Sequence, residues 1–276
     1  MPFPLETLAA LATIAGTVIS VLALLQSQSW LLLTSLCFAC LSFGTGLYAR
    51  RQRLALKASS TVIEGRSIDS LNMANLRRGV NRTFVIQEAH HTARIEGQDL
   101  EITWSYSGYC KVDGTSAMEF SVDAEHNIPF DDLECAAYDL KRDPDMSHPI
   151  RPLLVGPDGI SKKIAAPFLE PLNANQPFGV LLKCSLPRCV KRGIGYYTST
   201  LSFDQDRVPH CTVHLVFVGT FPDWVRVYEC TPRGPPALLR TLVAARKEAD
   251  LCEYVDDAKN RKGQSARVYV FARASV

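Results

Sequence analysis

Between Glu6 and Arg50 the sequence contains no Asp, Glu, Lys, Arg or His. That absence is hard to reconcile with a water-soluble segment, and it also excludes the ionisable side chains that proton relays and ion pathways place inside a membrane. Within the uncharged run, residues 7–25 and 30–48 are each 19 residues of mainly Leu, Ala, Ile, Val and Phe. As helices they reach about 28 Å, against the roughly 30 Å of a bilayer's hydrocarbon core. The polar break Gln26-Ser27-Gln28-Ser29, followed by Trp30, predicts a transmembrane helical hairpin over residues 1–49. Small residues recur at helical spacing, Ala12, Gly16 and Ser20 on the first helix and Ser42 and Gly46 on the second. They suit close backbone packing, either within one hairpin or between hairpins of several chains.

Basic residues are missing from the connecting turn but crowd the exit at Arg50, Arg51, Arg53 and Lys57. The positive-inside rule then expects both termini in the cytoplasm and a two-pass protein of the inner membrane, its cations resting on the lipid bilayer. A cleaved signal peptide is the competing reading of the first helix, and that segment lacks a basic leading region. Net charge is only +2, so no nucleic-acid polymer is indicated by bulk charge. The nine cysteines are an odd number, with Cys37 and Cys40 in the second apolar segment. A secreted disulfide framework fits poorly, and reduced thiols are expected.

The remaining 227 residues divide into a basic juxtamembrane segment with a short linker helix (50–79) and a β-rich domain (80–276). The linker helix has Ser67 as N-cap, Arg77 and Arg78 in its last turn and Gly79 beyond it. From Thr83 the period becomes two: Leu100, Ile102, Trp104 and Tyr106 alternate with polar residues, as do Phe178, Val180, Leu182 and Cys184. Asp113-Gly114 predicts a hairpin turn, and Gly156-Pro157-Asp158-Gly159 a second. Fourteen of the sixteen prolines lie between Pro129 and Pro236, at turns or edges. Further strands are expected at 194–203, 211–219, 224–230 and 266–273, with a polar loop at 256–265. One late helix over about 235–250 is expected from Pro235-Pro236 and the apolar face of Leu238, Leu239, Leu242 and Val243. The fold class is thus a two-helix membrane hairpin followed by a mainly antiparallel all-β sandwich or small barrel.

No nucleophile elbow, Walker loop, dinucleotide fingerprint or zincin motif occurs, so no catalytic residue and no cofactor is assigned. Cys184, Cys189, His210, Cys211 and His214 are zinc-type ligands by residue type, but their spacing is wrong for a site and no metal is assigned. Asp131, Asp132 and Glu134, then Asp139, Asp143 and Asp145, lack the glycine and ligand order of a calcium loop and read as solvated. The stretch 188–200 combines Arg188, Lys191 and Arg192 with two glycines, the ring pair Tyr196 and Tyr197 and a row of hydroxyls. With Trp224 and Arg226 these form a candidate ligand-binding set for a phosphate or nucleotide; an exposed basic loop is the plain alternative.

A two-helix membrane segment over residues 7–48 followed by a β-rich region over 83–273 resembles the two-helix, β-strand-rich membrane effectors of bacterial cyclic-oligonucleotide antiphage (CBASS) systems. The resemblance is one of architecture. It implies a ligand-sensing effector: a cyclic oligonucleotide bound by the β domain, association into a homo-oligomer, and clustered hairpins acting on the inner membrane. A scaffold holding a protein partner at the membrane, and a membrane-bound or metal-binding enzyme, are the other two readings.

Overall fold

The chain divides into two units, Met1–Ser70 and Leu71–Val276. The computed structural model describes residues 79–124, 126–190, 194–230 and 236–273, all in the second unit. These residues are almost entirely strand: β1 (Phe84–Glu96), β2 (Asp99–Cys110), β3 (Thr115–Asp123), β4 (Ala136–Asp139), β5 (Leu153–Leu154), β6 (Ser161–Leu172), β7 (Pro177–Leu186), β8 (Ile194–Val218), β9 (Pro222–Cys230), β10 (Ala237–Leu242), β11 (Arg246–Lys247) and β12 (Leu251–Arg273). A single 3-10 turn, Phe130–Leu133, separates β3 from β4.

The strands form two sheets. The larger runs β10-β9-β12-β8-β1-β2-β7-β4, with β11 on β12, and the smaller runs β3-β6-β5. All pairs are antiparallel except β1 with β8, so the large sheet is mixed. Its organising feature is a corner. Register between β8 and β12 jumps from Arg207↔Lys262 to Ser202↔Gln264, so residues 203–206 pass opposite Gly263 alone. A Cβ on Gly263 would stand 2.0 Å from the Gln205 carbonyl oxygen, and only glycine lets the two backbones approach that closely. Gln205 also ties the corner to β1, whose register shifts between Ile86 and Glu88. Its Oε1 accepts from Ile86 N (2.7 Å) and its Nε2 donates to Ile86 O (2.8 Å).

Beyond the corner the β8–β12 ribbon turns back, and the inner faces of its two limbs meet. Phe217 packs edge-on to Phe271 at 5.0 Å, and Phe203 to Tyr106 at 5.3 Å. The small sheet covers β1, β2 and β7, with Phe120 stacked on Tyr106 at 5.5 Å and Phe168 set 6.0 Å from Phe84. The period-two pattern of β2 and β7 places Ile102, Trp104, Tyr106, Phe178, Val180 and Leu182 in this core.

The structure corrects several expectations. The late helix at 235–250 is instead β10 and β11. A 3.6-residue apolar pattern holds a helix only where a neighbour buries its stripe, and here Leu238, Leu239 and Val243 (86 % exposed) find none. Ala237, Leu238 and Arg240 to Leu242 pair with β9 instead. The polar loop at 256–265 is part of β12, its Asp256, Arg261 and Ser265 buried. The strands at 194–203 and 211–219 are one, β8. After Asp113-Gly114 the chain leaves β2 and pairs with β6 in the other sheet, so that turn closes no hairpin. Among the described residues no helix is long and apolar enough to cross a membrane. The hairpin 7–25 and 30–48, with Ala12, Gly16, Ser20, Ser42 and Gly46, lies outside the described residues, as does the linker helix before Gly79. Placement as a two-pass inner-membrane protein is therefore not supported and is withdrawn.

The corner sets a stability test. Gly263→Ala should lower stability by about 1–3 kcal/mol, the usual cost of forcing atoms into a packed site, seen as a lower thermal midpoint. A midpoint equal to the parent's would show that the corner yields.

Candidate functional site

The β1–β2 hairpin turns through Gly97, whose φ of 57° is the left-handed conformation a two-residue turn requires. Strand alternation then sends Arg94, Glu96, Asp99 and Glu101 to the outer face. There Glu96 stands directly across from Asp99, and Arg94 across from Glu101. Like charges opposed in a ladder destabilise it, so that pair is retained at a cost. These residues, with Asp132 and Glu134 beside the 3-10 turn and Ser185 to Pro187 at the end of β7, line a cavity of about 410 Å³. Five carboxylates face it against one guanidinium. Arg94 bonds Glu96 at 3.1 Å, Lys183 approaches Glu101 at 3.1 Å from β7, and Asp99 accepts from Arg188 N at 2.8 Å.

One covalent link joins two of the segments that line this cleft. Ala136 pairs with Lys183, so Cys135 and Cys184 stand opposite each other one step along, and they form a disulfide with Cα atoms 4.3 Å apart. The expectation of reduced thiols is corrected at this pair, while Cys110, Cys211, Cys230 and Cys252 are buried thiols. Burial pushes the Cys230 thiol up to about 11, with Glu229 adding to the shift.

The core itself holds a polar network. Arg261, 3 % exposed, donates to Ser199 Oγ (2.8 Å), to the Ser199 carbonyl and to Ser265 Oγ (3.1 Å), and lies 3.4 Å from Cys211 Sγ. Ser199 Oγ is 2.8 Å from His91 Nδ1, and His91 Nε2 is 2.9 Å from the Tyr106 hydroxyl. A guanidinium donating to Ser199 leaves the hydroxyl proton for Nδ1, so Nε2 carries the imidazole's proton toward Tyr106. A serine touching a histidine suggests a nucleophile and its base. Here Ser199 is 0 % and His91 1 % exposed, and no substrate reaches them. Burial holds His91 well below its ordinary value, with the Arg261 guanidinium and then the neighbouring His90 adding to the effect. It likewise raises the Tyr106 and Tyr197 hydroxyls. A second cluster centres on Asp256, whose fully buried carboxylate accepts from Arg267 (2.8 Å), Tyr269 (2.6 Å) and Arg240.

No protein-family model matches the chain, and no curated protein does. Solved structures with a related outline include an M1 zinc metallopeptidase from Deinococcus radiodurans, at TM-score 0.41 and 12 % identity over 69 % of this chain and 42 % of that one. Another is a candidate protease from Parabacteroides distasonis, at TM-score 0.38 and 8 % identity over 69 % and 40 %. The chain thus spans about two fifths of the length of those proteins. Likeness that slight transfers neither activity nor site to this protein.

The residues singled out from sequence scatter. Tyr197 is core, accepting from Trp104 Nε1 at 3.2 Å. Arg188 sits in a turn at φ 52°, and Lys191 and Arg192 lie outside the described residues. Tyr196 registers with Val270 and Val270 with Arg226, so Tyr196 and Arg226 share a sheet face, and the guanidinium lies 4.4 Å from the Trp224 ring. The described residues lend the phosphate-pocket reading no support: Tyr197 is turned into the core, Arg188 lies apart in the turn after β7, and only Tyr196, Trp224 and Arg226 share a face. Of the zinc-type residues, Cys184 is bridged and His214 pairs with Glu253 at 3.2 Å. Among the described residues no group of three His, Cys, Asp or Glu is placed to hold a metal. Asp139 and Asp143 accept backbone N–H groups of their own turns, from Lys141 (3.2 Å) and His148 (2.7 Å). The acidic cleft was missed. Its signal was one carboxylate before a glycine turn, Glu96, and two after it, Asp99 and Glu101, on the same strand face.

Two tests follow from the network. Above the ordinary histidine value of about 6.5, His91 is neutral folded or unfolded and costs nothing; below it the unfolded chain takes up a proton that the folded one refuses. Stability should therefore fall as pH drops below about 6.5, and His91→Gln should flatten that step in a series of thermal midpoints. Asp256→Ala leaves Arg267 buried without its carboxylate and should cost about 3–5 kcal/mol in denaturant unfolding.

Proposed function

We propose that this β-rich domain is a non-enzymatic binding module whose acidic cleft takes a Lys/Arg-rich segment of a protein partner. The observation that carries the reading is the set of five carboxylates around one open cavity of about 410 Å³. Glu96 and Asp99 oppose each other there against the interest of the sheet. A local sacrifice of stability is what a recognition surface looks like when one rule of folding is broken for function. The carboxylates ring the cavity instead of converging on a point, which suits an extended, multivalent cation better than a single metal ion. A concave surface of one sign concentrates the field and draws in the opposite charge. Recognition fits this site better than bond breaking, because the serine–histidine contact is sealed within the core.

The test is a calorimetric titration of the full chain with a ten-residue Arg/Lys peptide. Binding should weaken about tenfold between 50 and 500 mM salt, as screening shortens the reach of charge. Glu101→Lys combined with Asp132→Lys should abolish it. Binding that ignores salt, or survives that double charge reversal, would sink the proposal.

A further inference from the structure

We infer that the Cys135–Cys184 disulfide is a redox latch for the acidic cleft, holding one wall against the other; the inference rests on the cleft being the binding site proposed above. The bridge stands at the junction of the two walls. Glu134 and Asp132 belong to the segment just before Cys135, and Ser185 to Pro187 follow Cys184 directly. The segment carrying Asp132 and Glu134 is otherwise held through the side chains of its 3-10 turn, with Phe130 packed against the core. Leu133 anchors it in the core, Phe130 N donates to Asp158 at 3.0 Å, and Asp131 meets Arg151 at 3.2 Å between exposed side chains. Glu134 itself ends the 3-10 turn at φ 43°, a left-handed conformation unfavourable for a side chain with a Cβ. The bridge is the covalent neighbour one residue away. β4, which continues the segment, pairs with β7 and is bridged to Ile150 through Ala137, but it begins at Ala136, past Cys135, and so leaves Asp132 and Glu134 outside its ladder.

The chemistry is thiol–disulfide exchange with a dithiol reductant. Cys184 is wholly buried and Cys135 only partly, so the incoming thiolate meets the Cys135 sulfur. The Cys135–Cys184 bond breaks, Cys184 leaves as a thiolate that takes a proton, and a mixed disulfide forms at Cys135. The reductant's second thiol then attacks its own sulfur in that mixed disulfide, closing as a cyclic disulfide and releasing Cys135 as a thiol. Two electrons pass to the protein's sulfurs, and the dithiol's two protons end on the two cysteines. Once the bridge is open, Glu134 can relax from its left-handed conformation and Asp132 and Glu134 can swing away. The cleft then loses two of its five carboxylates.

The experiment titrates the Arg/Lys peptide into the full chain, oxidised and then reduced with dithiothreitol, mass spectrometry confirming the state of Cys135 and Cys184. Hydrogen exchange of residues 129–135 is followed in parallel. The oxidised protein should bind about tenfold more tightly, and exchange at 129–135 should quicken on reduction. Cys135→Ser, which spares the buried Cys184, should behave as the reduced protein and ignore dithiothreitol. Equal affinity in the two redox states overturns the latch, whatever exchange does. If the peptide binds neither state, the cleft reading has failed and exchange alone decides: faster exchange on reduction sustains the latch, unchanged exchange removes it.

Discussion

The architecture depends on one close approach, the passage of Gly263 beneath the Gln205 carbonyl. Without it β8 and β12, strands of 25 and 23 residues, would run as a nearly straight ribbon, and the inner faces of its two limbs would both be open to water. The bend turns one ribbon into two facing layers and lets Phe217 meet Phe271. Gln205 serves the same end from its other side, supplying Ile86 with hydrogen bonds before β1 begins to pair with β8 at Glu88. Corners of this kind let a single sheet pack against itself.

The space enclosed by the bend is not uniformly apolar. Arg261, His91 and Ser199 lie there among tyrosines, and the guanidinium is met by hydroxyls, carbonyls and a thiol. Desolvating a cation is expensive, and such a network is tolerable only when its polar atoms find partners. In return it selects one registry: Arg261 reaches Ser199 only if the limbs of β8 and β12 fold back at the observed place. The Asp256 cluster acts similarly within β12, where the carboxylate is met by Arg267 and Tyr269 from the same strand after it has turned.

What could be read from the sequence followed from how each side chain is buried. β2 and β7 alternate cleanly because one face is core and the other solvent, and the turn at Gly156 to Gly159 joins β5 to β6 as its residues suggest. β12 was obscured between Asp256 and Ser265 because its buried residues there are polar, satisfied by partners far along the chain. β10 reads as a helix because its leucines follow a helical period, yet Leu238 and Leu239 remain in water and only Leu242 is buried. The cleft was invisible for a related reason: Asp132 and Glu134 are more than thirty residues from Glu101, and only the β4–β7 pairing brings them together. Tyr196 and Tyr197 looked like neighbours in a pocket, but strand alternation sends one outward and the other into the core.

The order of strands carries a kinetic implication. β12 lies between β9 and β8, and β8 pairs in parallel with β1, more than a hundred residues earlier. Neither contact is local, so loop-closure entropy is met before either pairing gives a return, a recipe for slow folding. Until β12 is inserted, β8 and β9 each present a long unsatisfied edge. A nascent or partly folded chain is therefore most vulnerable to aggregation at the two strands that β12 later joins.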